Sequence, residues 1–167
     1  SNLFVLADKD HNGNLSRSEI AGIMQQIKKG AIPSDAEVNM CMALMDKDSD
    51  GVVTKEEFTS AMAKLKIGNG LEAGIDVGPL VNSDTRNKVD AFVQDVVAKG
   101  AKVELGGVLP TGKGFFYPPT VLSGVPETAD CVGDEIFGPV AALQVFNDQE
   151  DVIRRANDTE YGLVAYV

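Results

Sequence analysis

The chain has 167 residues, enough for one ordinary domain or two small ones, and its apolar fraction of 44% is that of a globular protein. A net charge of −10 argues against nucleic acid, which needs clustered Lys and Arg, and against an anionic membrane surface; divalent cations remain as partners. No apolar run approaches the roughly 18 residues that a membrane span requires, and no secretory leader is visible. Cys41 and Cys131 show neither metal-ligand spacing nor a CxxC pair, so buried thiols and a reducing compartment, cytoplasm or mitochondrial matrix, are expected.

The chain opens on Asp8-Lys-Asp-His-Asn-Gly-Asn-Leu-Ser-Arg-Ser-Glu19. Asp8, Asp10 and Asn12 stand first, third and fifth, Gly13 sixth, Asn14 seventh, Ser16 ninth and Glu19 twelfth. That order suits a hard cation. Short polar side chains converge, glycine permits the sharp turn, the seventh carbonyl ligates, the ninth side chain acts through water, and the last carboxylate offers both oxygens. His11, fourth in the loop, faces solvent in this reading. Ile20, Ile23, Met24 and Ile27 follow at helical spacing, and Gly30 ends that helix behind Lys28 and Lys29. Ser34 and Glu37 have the spacing of a capping box, and Val38, Cys41, Met42 and Met45 form the inner face of the next helix.

A second loop of the same design runs from Asp46 to Glu57. Asp46, Asp48 and Asp50 are its converging carboxylates, Val52 supplies the carbonyl, Thr54 is ninth and Glu57 twelfth. The two loops are an internal repeat. Their eighth residues, Leu15 and Val53, can face each other in a short antiparallel pairing. Phe58, Ala61, Met62 and Leu65 mark the last helix. All five methionines lie in this part, either filling the core or forming an adaptable groove; Met40 alone falls off the inward stripes. On these residues, positions 1–66 resemble the EF-hand pair of calmodulin-like proteins. The resemblance implies an all-α unit, Ca²⁺ at both sites, cooperation through the loop pairing, and a target helix as a partner. The stretch before the first loop, Ser1 to Ala7, is a shortened entering helix, with Phe4 in the place of Met42.

The texture changes at Lys66-Ile-Gly-Asn-Gly70, where Met disappears and Gly, Pro and Val become frequent. This divides the chain into residues 1–66 and 67–167. The second part reads as α/β. Asn82-Ser83 caps a helix with Val89, Phe92, Val93 and Val96 inward, closed by Lys99-Gly100. Strands are expected at Ala101–Leu105, Phe115–Tyr117, Thr120–Leu122, Val140–Phe146 and Leu163–Val167. A helix is expected at Asp148–Asn157, with Val152, Ile153 and Ala156 inward. The apolar runs Val140-Ala-Ala-Leu143 and Leu163-Val-Ala-Tyr-Val167 point to strands covered on both faces. Gly68-Asn-Gly70-Leu-Glu-Ala-Gly74 has the wrong spacing and follows a helix, so it is a turn and not a dinucleotide loop; Gly112-Lys-Gly114 is also a turn.

Asp134-Glu-Ile-Phe-Gly-Pro-Val140 is by itself a polar turn running into a strand. It occurs in order with Lys64-Leu-Lys-Ile-Gly-Asn-Gly70, Val77-Gly-Pro-Leu80, Lys99-Gly-Ala101, Gly114-Phe-Phe-Tyr-Pro-Pro-Thr-Val-Leu122 and Tyr161-Gly-Leu163. Together these stretches resemble the NAD(P)-dependent aldehyde dehydrogenases, and among them the succinate-semialdehyde enzymes, over residues 64–167. The resemblance implies an incomplete α/β segment of that fold. It also implies that Glu135 bonds the nicotinamide-side ribose and that Phe137 packs near the nicotinamide. NAD(P) would be held only with segments absent from this chain. The family's nucleophilic Cys and general-base Glu should precede Gly68-Asn-Gly70, where the calcium-loop pair stands instead. Cys131 lies too far downstream to be that nucleophile. No catalytic residue is therefore assigned. The junction reads as a splice, a gene fusion or a chimera. Three functions follow: a calcium-binding module, a part of a dehydrogenase completed by a partner chain or by missing sequence, or a non-catalytic interaction protein.

Overall fold

The computed structural model describes residues 14–27, 31–145 and 148–158. They fall into two compact units, one of Met62–Gln144 and one of the described residues within 3–61 and 145–167. Asp8, Asp10, His11, Asn12, Lys28–Gly30 and Leu163–Val167 lie outside the described residues.

In the N-terminal unit β1 (Leu15–Ser16) leads into α1 (Arg17–Ile27), α2 spans Asp35–Met45, and β2 (Val52–Val53) leads into α3 (Lys55–Met62). Each helix begins with the same local chemistry. A hydroxyl at the N-cap accepts the amide three residues on, and the glutamate there accepts the N-cap amide. Glu19 Nα donates to Ser16 Oγ at 3.4 Å, Glu37 Nα to Ser34 Oγ at 3.3 Å, and Glu57 Nα to Thr54 Oγ1 at 3.2 Å. The return bonds run from Ser16, Ser34 and Thr54 amides to Glu19 Oε2, Glu37 Oε2 and Glu57 Oε2 at 2.7, 2.7 and 3.0 Å. Only Ser34–Glu37 was expected as a capping box; the other two pairs carry the ligand spacing and the capping spacing at once.

β1 and β2 pair antiparallel with Leu15 opposite Val53, as the loop repeat suggests, so this unit is not helical throughout. The core is Leu15, Ile20, Val38, Met42 and Val53, with Ile23, Met24, Cys41, Met45 and Phe58 packed against it. Met40 is 69% exposed. Leu65 does not belong to the last helix. The chain turns after Met62 and enters a parallel bridge between Ile67 and Val77, in which Lys66 accepts the Asp76 and Val77 amides at 2.9 and 3.0 Å. Extended residues cannot prolong the helix, and Leu65 is left partly exposed.

The second unit sets α4 (Ser83–Ala98) on a mixed sheet of β3 (Lys102–Leu105), β4 (Thr120–Ser123) and β5 (Val140–Ala142), in the order β3-β4-β5. Asn82 Oδ1 caps α4 by accepting from the Thr85 amide at 2.8 Å, and Gly100 closes it at φ 97°. Val89, Phe92, Val93 and Val96 are all buried, against Tyr117, Leu122 and Ala142 of the sheet layer. β3 runs antiparallel to β4 and β5 parallel to it. Residues 115–119 form no strand, and Lys102 and Val103 of β3 are exposed. β5 is shorter than expected: past Ala142 the two segments stay joined through the Leu143 amide bond to Leu122 at 2.8 Å and, beyond Gly124 (φ 66°), the Val125 amide bond to Leu143 at 3.1 Å, without regular strand. The turn α5 (Asp130–Gly133) had no sequence signal. Lys99 holds it, bonding Asp95, Asp130 and the Thr128 carbonyl at 2.9, 2.9 and 2.7 Å.

The last described helix, α6 (Gln149–Asn157), is capped by Asp148, whose Oδ1 accepts the Asp151 amide at 2.8 Å. Arg154 and Arg155 of its last turn both reach back to Asp151. Ile153, expected inward, is 48% exposed; the side chains of Val152 and Ala156 lie outside those described. No described helix is long and apolar enough to cross a membrane.

Candidate metal centre

The loop Asp46–Glu57 is tied by its own backbone. Asp46 Oδ2 accepts the Gly51 amide at 3.0 Å, Asp48 Oδ1 the Asp50 amide at 3.3 Å, and Asp50 Oδ1 the Val52 amide at 2.9 Å. These bonds fold the loop back on itself. Gly51 takes φ 92°, as the sixth position requires; Ser49 takes φ 61°, a left-handed conformation at the fourth position that its sequence did not signal.

Among the described residues one group of carboxylates gathers its oxygens within 4.8 Å of each other: Asp46, Asp48 and Asp50. Like charges about 4 Å apart repel by about 1 kcal/mol in water and about 4 kcal/mol at an effective dielectric of 20. No described lysine or arginine pairs with any of the three. Asp46 Oδ1 is moreover buried without a hydrogen-bond partner. A buried anionic oxygen with no donor is costly, and a cation at the convergence would satisfy it. The donor set is all oxygen, which fits a hard divalent ion.

Glu57 is not among that group, and its carboxylate is held by backbone amides and the Thr54 hydroxyl. Its Oε1 accepts the Lys47 amide at 2.7 Å, and its Oε2 accepts the Thr54 amide and hydroxyl at 3.0 and 3.1 Å. These bonds, the Thr54 amide first and the Lys47 amide next, lower its pKa and keep the carboxylate charged. Lys47 also reaches Ser60 through its ammonium group, a tie from loop to helix that the ligand pattern did not reveal. In the first loop, Asn14, Ser16 and Glu19 are described. Glu19 is 3% exposed, and its Oε2 also accepts the Ser16 hydroxyl at 2.5 Å. The β1–β2 pairing brings Ser16 opposite Val52, so the two loops lie side by side.

Glu135 and Phe137 sit in the loop between α5 and β5, and both are exposed, Phe137 by 64%. Phe137 lines a shallow depression with Asp84, Thr85, Lys88, Val89 and Phe92. Lys88 lies over the Phe92 ring at 5.2 Å and pairs with Asp134 at 3.5 Å. Gly138 lets this loop approach α4, since a Cβ there would stand 2.7 Å from Val89 Cγ2. Cys131 is buried, and burial pushes its thiol up to about 11, so it is no ready nucleophile. Burial likewise raises Cys41.

Residues 48–167 match the model of the aldehyde dehydrogenase family, and residues 2–63 that of the EF-hand domain pair. Glutarate-semialdehyde dehydrogenase of Pseudomonas putida is 49% identical over 111 residues, covering 66% of this chain and 23% of that protein. The mitochondrial succinate-semialdehyde dehydrogenase of Arabidopsis thaliana is 46% identical over 120 residues, 71% of this chain and 23% of its own. Among solved structures, an NADP-dependent enzyme of E. coli superposes with a TM-score of 0.62 at 44% identity, over 65% of this chain and 22% of that one. A Mycobacterium tuberculosis aldehyde dehydrogenase solved with NAD⁺ gives 0.60 at 34% identity, over 65% and 23%. The chain thus spans about a quarter of the length of the relatives it matches.

Proposed function

We propose that this chain, which belongs to the aldehyde dehydrogenase family through residues 48–167, acts through its other motif as a calcium-binding module. The observation that carries the reading is Asp46 Oδ1, buried and without a partner where three carboxylates converge. Asp46, Asp48 and Asp50 would supply one oxygen each, Val52 its carbonyl, Thr54 a water-borne contact and Glu57 the closing carboxylate. Asp8, Asp10, Asn12, Asn14, Ser16 and Glu19 would do the same in the first loop, and the Leu15–Val53 pairing supports binding by the two as a pair. Calcium supplies no bond-making chemistry here; it neutralises and orders the loops.

The dehydrogenase-like part, residues 67–167, has no nucleophile of its own in this reading, since Cys131 is buried and weakly acidic. Glu135 and Phe137 are exposed, as groups that meet a nicotinamide cofactor would be, and the chain spans 23% of the length of a matched dehydrogenase. Oxidation of a semialdehyde with NAD(P) is therefore proposed only where a partner chain or further sequence completes the site.

Isothermal calorimetry of the full chain with Ca²⁺ tests the first reading. Two binding events are expected, and Glu57→Gln should weaken one of them by at least the roughly 10–100-fold that even outer-shell changes cost. A flat titration through millimolar Ca²⁺ overturns the proposal.

A further inference from the structure

Within the Met62–Gln144 unit, the loop 66–77 is closed at its base and open at its tip. At the base the Lys66 amide donates to Asp76 Oδ2 at 2.9 Å, and the Gly68 amide to the Val77 carbonyl at 3.1 Å. At the tip stand Asn69, Gly70 and Leu71, all exposed, Leu71 by 95%. The Asn69 side chain turns along the backbone. Its Oδ1 accepts the Leu71 amide at 3.2 Å, an Asx turn, while its main-chain carbonyl accepts the Glu72 amide at 2.9 Å.

Three features of this tip suit an acyl transfer within the chain. The ring closed by the Oδ1 bond contains the Gly70 nitrogen, so Asn69 Cγ is folded back towards that nitrogen. The Leu71 amide polarises the Cγ carbonyl and stands where negative charge develops on Oδ1 during an addition. The nucleophile is unhindered: among the described residues none accepts the Gly70 amide, and a Cβ on Gly70 would meet nothing within 4 Å.

We propose that Asn69–Gly70 is a self-modification site, at which the Gly70 nitrogen attacks Asn69 Cγ and turns the asparagine into aspartate and isoaspartate. The N–Cγ bond forms, the Cγ–Nδ2 bond breaks, and the Gly70 proton leaves with the departing nitrogen as ammonia. The product is a five-membered succinimide, which water then opens. Hydrolysis at Cγ gives aspartate; hydrolysis at the Asn69 main-chain carbonyl gives isoaspartate, whose chain runs through Cβ. Water is the co-reactant, and nothing is oxidised or reduced. Either product adds a negative charge to the loop. The isoaspartyl product also takes the carbonyl that holds Glu72 out of the backbone, so the tip opens while the base bonds of Lys66 and Gly68 persist.

Asp50–Gly51 serves as an internal control. Asp50 Oδ1 accepts the Val52 amide at 2.9 Å in the same kind of turn, but the Gly51 amide is committed to Asp46 Oδ2 at 3.0 Å, and a carboxylate is a poorer acyl electrophile than an amide.

Incubating the full chain in heavy-oxygen water and mapping its peptides by mass spectrometry tests the proposal. The peptide holding Asn69 should take up the heavy oxygen and split into two products on reversed-phase separation. One of them should accept a methyl group from S-adenosylmethionine through a protein isoaspartyl methyltransferase. The Asp50 peptide should stay unchanged, and the native chain should react at least as fast as the chain unfolded in urea. Gly70 is not in the left-handed region and has open space around it, so Gly70→Ala should leave melting unaltered and slow the reaction severalfold. An Asn69 that stays an amide, that reacts more slowly folded than unfolded, or that reacts undiminished in Gly70→Ala overturns the proposal. The mapping separates this site from Asn12–Gly13, which includes residues outside those described.

Discussion

Truncating Val53 to alanine tests whether the two loops are joined as the structure shows. Val53 is fully buried and pairs with Leu15, itself 1% exposed, in a core closed by Ile20, Val38 and Met42. The change deletes two buried methyl groups, about 0.8 kcal/mol each by transfer. A residual cavity adds a further term, so the total is about 2 kcal/mol. Because the side chain's main neighbour lies on the other loop, Leu15→Ala and Val53→Ala should not be additive. The double variant should fall short of the sum by about 0.5–1 kcal/mol. Urea unfolding followed by far-UV circular dichroism, with and without Ca²⁺, provides the readout. The midpoint should fall with little change in slope, in the transition that Ca²⁺ shifts. A loss below about 0.5 kcal/mol, or strict additivity, would refute the pairing as a source of stability and with it the physical basis for cooperation between the loops.

Tyr117 is fully buried, and its hydroxyl donates to Asp90 Oδ1 at 3.1 Å, so Tyr117→Phe should cost about 1 kcal/mol in the melting of the Met62–Gln144 unit. The Lys99 clamp predicts a pH dependence with two ends. The hydrogen bond from Lys99 lowers Asp95, so its contribution is present above the ordinary carboxylate value of 3.8 and is lost as pH falls through the depressed one. Asp95 raises Lys99 in turn, so that contribution is present below 10.5 and is lost as pH rises through the elevated value. Asp95→Asn should flatten the acid limb of a plot of melting temperature against pH; an unchanged limb would contradict the assignment. Gly106→Ala forces a side chain into φ 68°, with its Cβ 2.6 Å from Thr120 Oγ1 and against the Pro119 carbonyl. It should cost more than about 1 kcal/mol by thermal melting.

The stripe of α4 was legible because burial follows period: Val89, Phe92, Val93 and Val96 repeat at helical spacing and all are buried. So was the Leu15–Val53 contact, since two copies of one loop can meet only at equivalent positions. Strand lengths were not. Val140–Phe146 is apolar but for Gln144, and nothing in it says that regular pairing with β4 stops at Ala142. The α5 turn escaped for a different reason. Lys99, Asp95 and Asp130 are ordinary surface charges in sequence and become a clamp only when the end of α4 meets that turn.

At the site, the carboxylate positions were readable and the supporting bonds were not. Thr54-x-x-Glu57 fits a cation loop at positions nine and twelve, and it fits a capping box equally well. The structure uses it as the second: Thr54 and Glu57 exchange hydrogen bonds at the start of α3. Both chemistries want a short hydroxyl and a carboxylate three residues later, so the spacing alone cannot separate them. This double use has a physical consequence. The cap is already formed from protein atoms, so the start of α3 does not wait for the ion. An ion drawing Glu57 toward Asp46, Asp48 and Asp50 must do so against the Lys47 and Thr54 donors that hold it. In the calcium reading, affinity at this loop would be set by the difference between two sets of oxygen contacts, not by the number of carboxylates in the motif.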